Sequence, residues 1–356
     1  MNKDCWNIVC VSTNEIFPLE TQQWKSSTGS LLQLTHALRF SPDMIDTSVQ
    51  GLWRYKAMLP VFSEQVIVSF GEGMTPIVKT KINGQLLHVK LEYLFPSGSY
   101  KDRGATVLIS HMQECGLNKL VEDSSGNAGA AIATYAAKAG IKSEIVISEN
   151  TSANKIKQLE MLGAEVIKIA GTREDVAEEA KRRAKDTYYA SHCYNPFFFQ
   201  GTKTFAYELW EQTGGRLPEE IFFPVGNGTL ILGCFLGLME LMEAGLIDYL
   251  PRLTAVQAEN CASLLHNDTE RMCHTVADGI AIKKPVRKAE ILNAVRYTKG
   301  QIICVTEKEI LSTWQMLAGM GFYVEKTSAV GVAGWIKNNA SDNALIPLTG
   351  HGLKIG

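Results

Sequence analysis

From about Leu86 onward, short apolar runs alternate with longer helix-forming stretches. "LLHVKLEYL" predicts a strand, followed by a Pro/Gly turn and a helix that opens near Lys101. "LNKLVED" predicts the next strand, and "SSGNAGAAIATYAAKAG" a turn and an alanine-rich helix stopped by Gly140. "KSEIVIS" is a further strand, and "SANKIKQLEMLG" a helix with Ser152 as N-cap and Gly163 as its stop. "AEVIKIAG" and "REDVAEEAKRRAKD" repeat the alternation, and "EEIFFPVG", "TLILGCFLGLMELMEAG" and "LTAVQAE" continue it. Strands separated by helices of this length need crossover connections, so the pattern predicts an α/β chain of parallel sheets covered by helices on both faces. Residues 1–50 show no clear period and are expected to form a wrapping segment. No low-complexity linker interrupts the chain, so a lobe boundary must fall at a packed crossover.

Composition narrows the class. A chain of 356 residues is long enough for two lobes, and 46% apolar with 20% charged residues is ordinary for a globular protein. A formal charge of −2 gives no general electrostatic drive toward nucleic acid or an acidic membrane surface. No apolar run approaches the roughly 20 residues that span a bilayer, and "MNKDCWNIVC" is not a signal peptide, so a cytoplasmic protein is expected. The eight cysteines are scattered, as suits reduced thiols rather than a disulfide framework. Cys5 and Cys10 are the one close pair; no second pair follows to complete a zinc ribbon, and no metal is expected.

Candidate chemistry sits at four places. "LEYLFPSGSYKDRGATV" sets Lys101 on the turn that opens a helix; a loop lysine is ordinarily just a solvated charge. "DSSGNAG", Asp123 to Gly129, joins a strand end to a helix start, where unpaired amides and serine hydroxyls make an anion site. The same residues also suit a plain capped helix entry. "PVGNGTLILG", Pro224 to Gly233, is again strand, glycine turn and helix; it lacks the Gly-Lys-Ser/Thr of a nucleotide loop and the spacing of a dinucleotide fingerprint. "LIPLTGHGLK", Leu345 to Lys354, runs from an apolar strand into a polar glycine turn in which Thr349 offers a hydroxyl. One chemistry uses all four: an amine for an imine, a carboxylate cradle, a phosphate cradle and a hydroxyl for a pyridine nitrogen. That is pyridoxal phosphate (PLP) chemistry on a small amino acid.

From "GEGMTPIVKT" to the C-terminus the chain resembles the tryptophan-synthase-β-like superfamily of PLP enzymes (fold type II), and within it the threonine synthases. "SGSYKDRGA", "SSGNAG", "NPFFFQGTKTFAYEL", "VQAEN", "EKTSAVGVAG" and "TGHGLK" occur in the family's order. The resemblance implies two open parallel-sheet lobes with PLP in the cleft between them. Residues 51–101 and 206–356 would form the large domain, 102–205 the small one, and the enzyme would be a homodimer. It also implies residue roles. Lys101 resembles the Schiff-base lysine and general base, and Asn127 the side chain that bonds the cofactor's 3-oxygen. Ser124, Ser125, Gly126 and Ala128 would hold the substrate carboxylate. Gly226, Asn227, Gly228 and Thr229 would hold the cofactor phosphate, and Thr349 would face the ring nitrogen. A hydroxyl there leaves the ring a weaker electron sink than an aspartate would, which favours elimination and replacement.

The implied activity is a threonine-synthase-like lyase. Alternatives are a β-eliminating or β-replacing enzyme on serine, threonine or an O-substituted serine, and a non-catalytic PLP-fold binding protein, against which the intact Lys101 speaks. One region departs from the family. Where threonine synthases read Asn-Ser-x-Asn-Pro-x-Arg, this chain has "HCYNPFF", so His192 and Cys193 replace the amide and hydroxyl and Phe198 stands in the arginine's place. Asn150 is nearest the place of a family lysine. Phe197 to Phe199 suit core packing equally well. If one ring faces the site, the leaving-group pocket, with His192 and Phe198, would prefer something less charged than a phosphate ester, unless Lys155 or Lys203 supplies the charge.

Overall fold

The structure is a computed structural model and describes residues 3–268 and 272–354. In chain order its elements begin with β1 (Trp6–Cys10), β2 (Ile16–Phe17), β3 (Leu32–His36), β4 (Ile77–Ile82) and β5 (Gln85–Lys90). They continue with α1 (Lys101–Glu114), β6 (Lys119–Glu122), α2 (Asn127–Ala139), β7 (Lys142–Ser148), α3 (Ala153–Met161) and β8 (Glu165–Ile169). Next come α4 (Arg173–Arg183), β9 (Tyr188–Tyr189), α5 (Pro196–Thr202), α6 (Thr204–Gln212), β10 (Glu220–Pro224) and α7 (Thr229–Glu243). The last are β11 (Arg252–Ala258), α8 (Lys288–Tyr297), β12 (Ile302–Val305), α9 (Glu307–Gly319), α10 (Lys326–Lys337) and β13 (Ala344–Pro347). The chain folds into two compact units, Met1–Gly73 with Lys101–Thr204 and Met74–Tyr100 with Phe205–Gly356.

The first unit is built on a four-stranded parallel sheet of order β8-β7-β6-β9, as the strand–helix alternation predicts. Gly140 ends α2 in the left-handed region at φ 68°, the conformation that a helix stop of this kind uses. Ser152 stands at the N-cap of α3 as expected, without a side-chain capping bond. The stretch without a clear period contains an antiparallel sheet of order β2-β1-β3. Its inward residues Trp6, Ile8, Cys10, Leu32 and Leu34 join Leu108 and Ile109 of α1, Tyr135 of α2 and Phe197 of α5 in one apolar core. Strands of five residues or fewer carry too few repeats for their alternation to stand out in the sequence, although Trp6, Ile8 and Cys10 do alternate inward. Helices α1 and α5 meet closely at two glycines. A Cβ on Gly201 would lie 1.8 Å from the Arg103 carbonyl oxygen, and one on Gly104 would lie 2.3 Å from the Phe198 ring.

The second unit has a six-stranded sheet of order β12-β11-β10-β13-β5-β4, parallel except for the β4–β5 pair. That antiparallel hairpin turns on Asn83 and Gly84, both at positive φ, the backbone that an Asn-Gly hairpin turn requires. Leu87, Val89, Phe222, Val256 and Ile346 of the sheet pack with Ile310 and Leu317 of α9 and Val330 and Trp335 of α10. A reciprocal Thr306–Glu309 capping box starts α9. Lys90, buried in β5, is held 3.1 Å from Glu208, 2.8 Å from Gln212 and 2.9 Å from the Thr75 carbonyl. A buried ammonium needs such company, and Lys90 is thereby a structural lysine. No described helix is long and apolar enough to cross a membrane, and the eight cysteines are free thiols.

Candidate cofactor and substrate site

In the first unit Lys101 is the first residue of α1, half-buried, with Nζ 5.9 Å from the centroid of the Phe198 ring. Asn127 is the first residue of α2, and Gly126 is its N-cap, with no side-chain hydrogen bond to the cap. The Gly126 amide donates to Ser124 Oγ at 3.3 Å, while Ala128, the second residue of α2, is buried. A 13-residue helix whose first turn lacks a side-chain cap, entered through half-buried serines, is suited to a carboxylate. Gly129 makes this entry possible: a Cβ there would lie 1.8 Å from the Ser124 carbonyl oxygen.

His192, Cys193 and Phe198 also fall in this unit. The Phe198 ring is fully buried, so it is a core side chain, and it also faces both Lys101 and His192, whose ring centroid is 6.0 Å away. His192 Nδ1 lies 2.7 Å from Oε1 of Glu122, and its Nε2 lies 3.1 Å from the Cys193 sulfur. Beside Glu122, Asp123 accepts from Arg173 at 2.7 Å and from the Tyr189 hydroxyl at 2.9 Å. Burial pushes the Glu122 carboxyl well above the usual carboxylate range, with the Asp123 charge adding to the effect. Burial likewise holds His192 well below the ordinary imidazole value, assisted by the Lys101 and Arg173 charges, and raises the Cys193 thiol. Both shifts favour the neutral form of each partner. Lys203 is buried with Nζ 5.3 Å from the Trp6 ring centroid, and Lys155 lies on α3.

In the second unit Gly226 to Thr229 form the turn between β10 and α7. Gly228 is the N-cap of this 15-residue helix, at φ 73°, again without a side-chain cap bond. The Thr229 hydroxyl lies 2.9 Å from that of Tyr100, whose amide donates to the Thr349 carbonyl at 3.2 Å. Two bonds thus hold the residue that precedes Lys101. The Thr349 hydroxyl lies 3.1 Å from Ser328 Oγ, and Ser328 also receives the Gly350 amide at 3.0 Å. Ser99 Oγ is buried and has no hydrogen-bond partner. A glycine-framed helix start suits a phosphate dianion, a buried hydroxyl fixed by a serine suits a neutral ring nitrogen, and an orphaned hydroxyl two residues before Lys101 suits an added polar group. These donors fit PLP.

Reading the motifs located Lys101 and both helix starts but missed Tyr100, Gly129, Ser328, Glu122 and Arg173. Tyr100 and Gly129 stand inside the quoted motifs and were open to notice. Ser328 and Glu122 become partners only through the fold.

Two helix-covered sheets, with a lysine at one helix start and two glycine-framed helix starts, have the architecture of a PLP enzyme of fold type II. The chain belongs to the pyridoxal-phosphate dependent enzyme family, whose model matches residues 68–350. It is 30% identical over 372 aligned residues to a threonine synthase of Methanocaldococcus jannaschii, covering 97% of this chain and 92% of that one. A threonine synthase of Methanosarcina acetivorans is 33% identical over 314 residues, 84% of this chain and 77% of that one. Among solved structures, a T.th. threonine deaminase superposes with a TM-score of 0.65 at 25% identity, covering 78% of this chain and 92% of that chain.

Proposed function

We propose that the chain is a threonine-synthase-like carbon–oxygen lyase that eliminates or replaces a group at Cβ or Cγ of a small amino acid. The observation that carries this reading is Lys101 at the start of α1, in a chain that also has open helix starts at α2 and α7 and a Thr349 hydroxyl fixed by Ser328. PLP, when bound, supplies the electron sink for carbanion character at the α-carbon. Lys101 would hold the cofactor covalently and take up the α-proton on its amine. Ser124, Ser125 and the amides of Gly126 and Ala128 hold the substrate carboxylate, and Asn127 orients the cofactor ring. Gly226, Asn227, Gly228 and Thr229 would hold the phosphate, and Thr349 would offer its hydroxyl to the ring nitrogen. The enzyme acts in the cytoplasm as a homodimer; no described helix is long and apolar enough to cross a membrane, and the exposed apolar side chains Leu94, Tyr323 and Leu353 offer surface to a second copy. Sedimentation at the mass of one chain would remove the dimer.

A second reading, β-elimination from serine, threonine or an O-substituted serine, is favoured by the surroundings of Lys101. A phosphate leaving group would meet a phenyl ring and a neutral imidazole there, in place of a guanidinium. A charge-assisted contact is worth about 1.5–3 kcal/mol, so its loss predicts a kcat/KM on O-phosphohomoserine lower by about ten- to hundredfold than on a neutral substrate. Phosphate release from O-phosphohomoserine is measured against 2-oxo acid release from serine and threonine. Efficient phosphate release would decide for plain threonine synthase chemistry and against the second reading.

A further inference from the structure

Three side chains in the first unit stand in line. Glu122 Oε1 meets His192 Nδ1 at 2.7 Å, and His192 Nε2 meets the Cys193 sulfur at 3.1 Å. All three are buried, with relative exposures of 0%, 5% and 6%. The line runs beside Lys101, whose charge bears on all three groups, and next to the Asp123–Arg173 pair and the Tyr189 hydroxyl bonded to Asp123.

The proton count follows from what each atom can satisfy. Glu122 Oε2 is buried with no hydrogen-bond partner. An ionised carboxylate with a bare oxygen in the core is costly, and so is an O–H on Oε2 with nothing to receive it. A proton on Oε1, donated to Nδ1, leaves neither fault. Neutral His192 then carries its own proton on Nε2 and donates it toward Cys193. Every member is neutral, and every proton points the same way along the line.

We propose that Glu122, His192 and Cys193 form a proton relay that protonates the leaving oxygen of a β-hydroxy amino acid. This rests on the β-elimination reading above. The Cys193 S–H proton passes to the departing oxygen as the Cβ–O bond breaks, and the bond pair leaves with the oxygen as water. Nε2–H returns a proton to the sulfur, and the Glu122 O–H delivers its proton to Nδ1. Cys193 ends as a thiol, His192 as the Nδ1–H tautomer and Glu122 as a carboxylate. Before the next turnover the line resets in reverse, Cys193 S–H passing its proton to Nε2, Nδ1–H returning its proton to Glu122, and the sulfur taking one proton from solvent. No buried imidazolium is formed at any point. Hydroxide is a poor leaving group and needs this proton. Chloride does not.

The test compares serine with β-chloroalanine on the holoenzyme. Glu122→Gln keeps the shape and can donate N–H to Nδ1, but its amide cannot pass a proton on. General acid catalysis is worth about 10²–10⁴-fold, so Glu122→Gln is expected to lower the serine to β-chloroalanine ratio of kcat values about a hundredfold. A second readout uses nitrogen-15 spectra of the cofactor-free protein, in which His192 is expected as the Nε2–H tautomer in both the native chain and Glu122→Gln. An equal fall on both substrates, an unchanged serine rate, or an Nδ1–H tautomer in the native protein overturns the relay. Failure of the native holoenzyme to eliminate from β-chloroalanine overturns the β-elimination reading itself.

Discussion

Lys101→Ala is expected to abolish turnover while leaving the fold in place. The substitution removes the amine that carries the cofactor and the base that takes the α-proton. Loss of a general base alone costs about 10²–10⁴-fold, so loss of both roles places the residual rate at least about 10⁴-fold below the native one. The fold survives because Lys101 is the first residue of α1 and only half-buried, and alanine is the best helix former. Removing a cation from a helix N-terminus also relieves a small unfavourable interaction with the helix dipole. Borohydride treatment of the native holoenzyme should fix the cofactor to the peptide that contains Lys101, and this label should vanish in the variant while the melting temperature shifts by only a few degrees. A reduced adduct on another lysine, or a variant that still turns over, would overturn the assignment of Lys101. Lys90 is the instructive control. It is fully buried, but Glu208, Gln212 and the Thr75 carbonyl occupy its ammonium, and it should take no label.

Gly228→Asp should strip the protein of cofactor, and the comparison with Gly228→Asn isolates the reason. Gly228 sits at φ 73°, and a Cβ there would lie 2.4 Å from the Ile291 side chain, so any larger residue strains the turn. Asn and Asp tolerate the left-handed region about equally and share one shape, so the strain is common to both. Only Asp adds a negative charge at the helix start assigned to the phosphate. Two like charges about 4 Å apart repel by about 4 kcal/mol at an effective dielectric of about 20, which corresponds to about a thousandfold in affinity. The cofactor absorbance retained after dialysis should therefore fall far more in Gly228→Asp than in Gly228→Asn. Equal retention in the two variants would mean that Gly226 to Thr229 form a structural turn and that the phosphate lies elsewhere.

Much of the fold was legible because local signals agreed with one another. The apolar runs from "LNKLVED" to "LTAVQAE" became strands in the expected order, and Gly140 stops its helix in the left-handed conformation its position implied. The Asn83-Gly84 hairpin was equally legible and went unnoticed. The N-terminal sheet was not legible, since β1, β2 and β3 are short and gain their stability by packing on α1, α2 and α5. Phe198 shows the limit for a single residue. The sequence left core packing and site facing as alternatives, whereas the fold buries the ring completely and still turns it toward Lys101 and His192.

The sequence by itself determined the features that depend on neighbours along the chain. These are the strand–helix alternation, the glycine turns that open α2 and α7, and the lysine at the start of α1, each set by backbone preferences within a few residues. Only the tertiary structure decided which side chains meet. Glu122 and His192 are 70 positions apart, and nothing in either local stretch names the other. They meet because β6 and β9 pair in parallel, Val121 opposite Tyr189, with the Ala190 amide bonded to the Val121 carbonyl. That register carries Glu122 alongside the segment that follows β9. Burial then favours the neutral form of both partners, because removing a charge from water costs more than a single hydrogen bond returns.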